Sequence, residues 1–125
     1  MQVPTRYIGE TMIGLGATHI ALGIALFHRQ FRAMAREGFV GTVEGRPDRE
    51  LAFWFTIFGP VLIAHGQFAR WSLRRTGALP EGWAWNLLAT FTAGAVLMPR
   101  SGFWFGIPHV LLSIAAARTS DAKRG

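Results

Sequence analysis

Four long apolar runs alternate with short polar segments along the chain. The first, from Tyr7 to about Phe27, holds a single acid, Glu10, and approaches the roughly 20 residues that cross a hydrocarbon core. The second runs from Leu51 to Trp71, with Gly59-Pro60 inside it, where the loss of an intrahelical hydrogen bond predicts a kink. The third, Trp83 to Met98, and the fourth, Gly102 to Ala117, have about 16 residues each and span only when nearly upright or in a thinned bilayer. The pattern predicts an all-α fold, an integral membrane four-helix bundle forming one domain over residues 1–125.

A soluble bundle would show a polar stripe on every helix with a period of 3.6 residues. From Ala52 to Ala64 there is no charged residue on any face, so a helix there is apolar all round. The connections agree with this. Residues 28–50 form an interfacial and polar loop whose first part, His28 to Gly38, sets Arg29, Arg32 and Arg36 among Phe31, Met34 and Phe39, as in a segment lying along headgroups. Thr42 to Glu50 reads as a polar loop. Arg74, Arg75, Gly77 and Pro80 mark the next connection, and Pro99-Arg100-Ser101-Gly102 makes a tight reversal that sets the last two helices side by side and antiparallel.

Composition sharpens the picture. Only 16% of the 125 residues are charged, below the quarter or so of a soluble domain, and ten Phe and five Trp need lipid or a large partner to cover them. The net charge of +6 comes from Lys and Arg set between the apolar runs, with no groove-reading motif, so a membrane surface is the expected partner and nucleic acid is not. The absence of Cys excludes disulfides, thiolate catalysis and Cys-ligated metal. No cleavable signal pattern precedes the first run, which is therefore expected to remain as a span. The N-terminus, second loop and tail share seven Lys and Arg against six on the other side, a count that favours cytoplasmic termini in a multi-pass protein of the inner (plasma) membrane.

Ionisable groups inside a span are costly and are candidates for function. Here they are Glu10, His19, His65 and His109, with Gln67, Asn86, Thr90 and Ser113 as polar neighbours. By depth, Glu10, Asn86, Ser113 and His65 could share one layer. By helical facing, Glu10 falls with Gly14, Ala17, Ala21 and Ala25, a small-residue ladder expected to point inward. Asn86 falls with Thr90 and Ala93, and His109 with Gly102, Ser113 and Ala116. A desolvated carboxylate beside an imidazole would make an acid–base pair able to move a proton on an apolar substrate. In the simpler reading, Glu10 neutralises an Arg while the histidines and amides tie helices together. His19 lies on the opposite face from Glu10, flanked by Gly16 and Gly23, as at a second close helix contact or a cavity. With one His per helix and no His-x3-His pair, the spacing supports neither a metal nor a cofactor. Phe53, Trp54, Phe55 and Phe58, with Phe103, Trp104 and Phe105, fit an interfacial aromatic belt or the wall of a site for a flat or isoprenoid-like molecule. Arg49 and Arg100 beside them suit an anionic headgroup or pairing with Asp48 and Glu50.

The order Gly16-x-x-His19-x-x-x-Gly23, then Pro47-Asp48-Arg49 leading into Ala52-Phe53-Trp54-Phe55 and Gly59, then Leu97-Met98-Pro99-Arg100-Ser101-Gly102-Phe103-Trp104, resembles a bacterial family of small four-span membrane proteins of unknown function. A broader similarity is to DoxX-like four-span proteins. The resemblance covers nearly the whole chain and implies the fold and the membrane location but no activity. The positions matching its pattern are His19, Arg49, Trp54, Ser101 and Trp104; Glu10 and His65 lie outside it.

Three function classes follow. One is the binding or acid–base conversion of a small lipophilic, isoprenoid- or quinone-like molecule, an isomerase or cyclase if catalytic. It would use Glu10, His19, His65 and His109, with Trp54, Phe58, Asn86, Trp104, Arg49 and Ser101 lining the substrate. The second is a non-catalytic accessory or assembly subunit of a membrane complex, partnered by another membrane protein or a second copy. The third and least favoured, a small transporter or channel, would need oligomers and repeats, neither of which is visible in the sequence.

Overall fold

A computed structural model describes residues 5–121, with the side chains of residues 6, 120 and 121 left aside; Lys123 and Arg124 of the tail lie outside the described residues. After a 3-10 turn at Thr5–Tyr7 come α1 (Ile8–Leu26), α2 (His28–Arg36), α3 (Pro47–Thr76), α4 (Glu81–Leu97) and α5 (Phe103–Asp121). The fold is all-α, with no strand among the described residues. Helices α3 and α5 overrun their apolar stretches, whereas α1 stays within its own. Pro47 fits the first helical position, Asp48 and Glu50 occupy the first turn and Arg74 and Arg75 the last, each sign matched to the helix dipole. Hence α3 begins inside the expected polar loop and ends past Trp71. Among the described residues two helices, Ile8–Leu26 and Pro47–Thr76, are long and apolar enough to cross a membrane; α4 and α5 do not reach the same combination of length and hydropathy.

The chain divides into two compact units. One, Thr11–His65, holds most of α1, all of α2 and the first part of α3. Here Gly16 meets Gly59: a Cβ on Gly16 would stand 2.6 Å from the Gly59 carbonyl oxygen, so only hydrogen fits. Gly23 lies against Thr56 in the same way. The helix break at Phe27 is slight, since the Phe27 and Phe31 amides still donate to Gly23 and Phe27 oxygens at 3.0 Å. In α2, Arg29, Arg32 and Arg36 are exposed and Met34 is buried, the amphipathic arrangement its sequence predicts. The helix closes on Gly38 (φ 87°), with Phe39 N–H donating to the Met34 oxygen at 2.9 Å and Gly38 N–H to Ala35 at 3.3 Å, the paired bonds of a Schellman cap.

The other unit comprises Met1–Glu10 and Gly66–Gly125. Its core gathers Ile8, Ala69, Leu79, Ala116 and Ala117, with Leu73 and Trp83 against them. Gly9 meets the carbonyl of Gly66, again with no room for a Cβ. The glycines at 9, 16 and 23 are seven residues apart, as are 59 and 66, a spacing that returns small residues to one face of each helix. The α3–α4 connection turns at Gly77 (φ 71°) and is tied by Ser72 Oγ donating to the Ala78 oxygen at 2.7 Å. Helices α4 and α5 pack together. Ala84, Leu87, Phe91 and Ala95 form the buried stripe of α4, and Phe91 lies edge-on to Phe103 and against Gly106.

Candidate functional site

Within Thr11–His65, His19 is half-buried and its Nε2–H donates to the Phe55 carbonyl oxygen at 2.9 Å. Its ring stacks on Phe55 at 4.2 Å and meets the edge of Phe58 at 5.7 Å, and Phe27 flanks Phe55 at 5.5 Å. Pro60 supplies no N–H to the carbonyl of Thr56, the residue after Phe55, so the tie sits where the ladder of α3 is interrupted. Of the two settings the sequence allowed His19, a close helix contact or a cavity, it takes the helix contact, beside Gly16 and Gly23. As a donor to a carbonyl, Nε2 cannot act as a base without breaking that tie. His65 turns to its own helix, Nδ1–H donating to the Val61 oxygen at 2.8 Å.

Arg49 anchors the most elaborate polar cluster. Its side chain is only 10% exposed, and it grips Glu37 through both terminal nitrogens, Nη1 to Oε2 at 2.9 Å and Nη2 to Oε1 at 2.7 Å. Nη1 also donates to the Thr42 oxygen at 2.9 Å, and Arg46 adds a bond to Glu37 at 2.6 Å. The hydrogen bonds from Arg49 and then Arg46 hold the Glu37 carboxyl down to about 2 and raise the Arg49 guanidinium in turn. The sequence pointed to Asp48 and Glu50 as partners of Arg49. Glu50 instead accepts from the Gly45 N–H at 2.9 Å, while the loop brings Glu37 in from twelve residues away. Phe39 (φ 64°), Gly41 and Gly45 all take left-handed backbone inside this clamp. Trp54 lies 69% exposed beside Phe53.

In the other unit, His109 Nε2–H donates to the Ile8 carbonyl oxygen at 3.0 Å, and the buried Ser113 hydroxyl donates to the His109 oxygen at 3.0 Å. Glu10 is exposed and pairs with Arg70 at 3.3 Å. The face expected to point inward from Glu10 does not: Gly14, Ala17, Ala21 and Ala25 are exposed, while Gly9, Met12, Gly16 and Gly23 are buried. Asn86 is likewise exposed with Thr90 and Ala93, because the larger apolar residues Leu87 and Phe91 claim the inner face of α4. Ser101 Oγ accepts from the Phe103 N–H at 3.4 Å, and the exposed Trp104 donates its indole N–H to Pro99 at 3.0 Å, so both shape the turn before α5. Glu81 accepts from the Trp85 indole at 3.0 Å and from Arg118 at 3.3 Å, which hold its carboxyl below the usual range.

Within each unit the candidates occupy separate settings, each with its own hydrogen-bond partners. Among the described residues no three of His, Asp and Glu gather as a metal ion would require. Hollows open to the outside lie along α3 and along α4. One, of about 260 Å³, is lined by Gln67, Arg70, Trp71, Arg74 and Arg75; the other, of about 650 Å³, lies along α4 from Trp85 to Leu97. None of Glu10, His19, His65 and His109 lines either. Sequence reasoning passed over Glu37, Arg70 and Glu81. The first two could have been suspected as the opposite charges needed by Arg49 and Glu10, and the third as the acid in the first turn of α4.

Residues 3–120 match a family of unknown function, DUF6463, and the chain belongs to that family. No curated protein and no solved structure matches it.

Proposed function

We propose that this member of a family without an assigned activity is a four-span protein of the inner membrane, with both termini cytoplasmic, acting as a non-catalytic accessory subunit of a membrane complex. The membrane part rests on burial. Only 28% of the apolar window of α1 and 22% of that of α3 is buried, where the core helix of a soluble protein would be mostly covered. Leu97 and Phe105 are each 80% exposed, a state that lipid or a partner relieves.

The observation that carries the accessory reading is the use made of the intraspan histidines. His19 and His109 each donate Nε2–H to a main-chain carbonyl of another helix, which supports a role as interhelical ties. The open face of α4 suits a partner: Ala89, Thr92 and Ala93 are small, so a second membrane helix can approach closely, and Trp85, Val96 and Leu97 frame them.

The test is purification from native membranes in mild detergent followed by native mass spectrometry. A stoichiometric protein partner, lost in Ala93→Trp while helical content is retained, is the expected result. A lone chain carrying a discrete lipophile would overturn this reading in favour of lipophile binding or conversion, with Glu10→Gln, His65→Ala and His109→Ala as the next variants.

A further inference from the structure

The C-terminal end of α3 carries Gln67, Arg70, Trp71, Arg74 and Arg75 at helical spacings of three and four, and together they line a groove of about 260 Å³. Three guanidinium groups share this groove, and Glu10 answers one of them, pairing with Arg70. Among the described residues no carboxylate meets Arg74 or Arg75, both exposed and adjacent in sequence, so two positive charges in this groove are open to an anion. Guanidinium groups hold phosphate oxygens in paired hydrogen bonds, and the Gln67 amide adds a neutral donor. Trp71 is 55% exposed and lies 5.9 Å from Phe68, giving the groove an apolar wall. The open groove has room for a phosphodiester and its first glycerol carbons, and acyl chains would leave it along the helix.

We infer that this groove binds the phosphodiester of an anionic phospholipid, with the phosphate on Arg74 and Arg75 and the start of an acyl chain along Trp71 and Phe68. Trp followed by Arg at the end of an apolar helix is the order in which a spanning segment meets headgroups. The inference rests on the membrane reading above.

Native mass spectrometry of the detergent-purified full chain, titrated with phosphatidylglycerol or phosphatidylcholine, tests it. The expected result is retention of phosphatidylglycerol about tenfold above phosphatidylcholine, falling to near parity in Arg74→Gln/Arg75→Gln. The control Arg29→Gln/Arg32→Gln, on exposed arginines of α2, keeps the preference, and Glu10→Gln, which releases Arg70, strengthens it. Equal retention of the two lipids by the wild type, or an undiminished preference in Arg74→Gln/Arg75→Gln, overturns the site. Displacement of phosphatidylglycerol by millimolar inorganic phosphate would overturn the lipid as the source and assign the groove to a soluble phosphate. Release of the protein from membranes by an alkaline carbonate wash would sink the membrane reading itself, whereas a membrane-retained protein without lipid preference sinks only this inference.

Discussion

His19 and Phe55 are joined twice: the rings stack at 4.2 Å, and the imidazole Nε2–H reaches the Phe55 carbonyl oxygen at 2.9 Å. The ring contact requires a flat side chain and the bond requires a donor, so His satisfies both where Phe or Gln satisfies one. The glycines beside it, Gly16 and Gly23, bring the backbone of α1 close enough for the ring to reach a main-chain atom of α3.

Replacing His19 therefore separates the two contributions. His19→Phe keeps the stack and loses the bond, costing about 0.5–1.5 kcal/mol, while His19→Ala loses both and costs more, about 2–3 kcal/mol. Unfolding in detergent micelles titrated with a denaturing surfactant, followed by circular dichroism, gives the ranking. A His19→Phe protein as stable as the wild type would show that the bond contributes nothing.

Gly14 and Gly16 sit two residues apart with opposite surroundings. A Cβ at Gly16 would lie 2.6 Å from the Gly59 oxygen and 2.8 Å from Ile63 Cγ1, whereas one at Gly14 meets nothing within 4 Å. Gly16→Ala is expected to destabilise by about 1–3 kcal/mol through overpacking. Gly14→Ala is expected to stabilise by up to about 1 kcal/mol through helix propensity. The same unfolding assay decides, and equal effects at the two positions would contradict the close approach of Gly16 to Gly59.

The four long helices were legible in the sequence because long apolar runs bounded by Pro, Gly and Arg leave little choice of element, whereas α2 and the first turn of α3 lie inside the stretch that reads as a loop, being too polar to stand out as apolar runs. The seam around His19 was legible too, from Gly16 and Gly23 on its face. The facing of Glu10 was not, because α1 carries two small-residue stripes, and the alanine-rich one looks as able to admit a neighbour as the glycine one. The deciding signal was in the partner: Gly59 and Gly66 repeat at the same interval of seven as Gly9, Gly16 and Gly23. Nor could the ion pair of Arg49 be read from spacing, since Asp48 and Glu50 are its neighbours in sequence and only the left-handed turns at Gly38, Phe39, Gly41 and Gly45 bring Glu37 to it.

Thr56 offers a test of the opposite sign. Its hydroxyl is buried against Gly23 and has no hydrogen-bond partner among the described residues. Valine has nearly the same shape without the unmet polar atom, so Thr56→Val is expected to raise stability by about 1 kcal/mol. A loss of stability in the same surfactant titration would mean that the hydroxyl is satisfied in the membrane-embedded protein.

Acid should loosen the loop between α2 and α3. Glu37 is held to about 2 by its hydrogen bonds from Arg49 and Arg46, against an ordinary 4.5, so between those values the unfolded loop binds more protons than the folded one. The clamp's contribution is therefore complete above about 4.5 and is lost as the pH falls through about 2. Glu37 is 43% exposed, so solvent screening moderates the effect. Hydrogen exchange at the Gly38 to Gly45 amides, read as the ratio of Glu37→Gln to wild type at each pH so that intrinsic rates cancel, should show about fivefold protection at pH 5. That ratio should approach one near pH 2, and Arg49→Lys, which keeps the charge but not the paired bonds, should lie between. A ratio already near one at pH 5 would mean that the loop is held by its left-handed turns and the Thr42 contacts rather than by the ion pair.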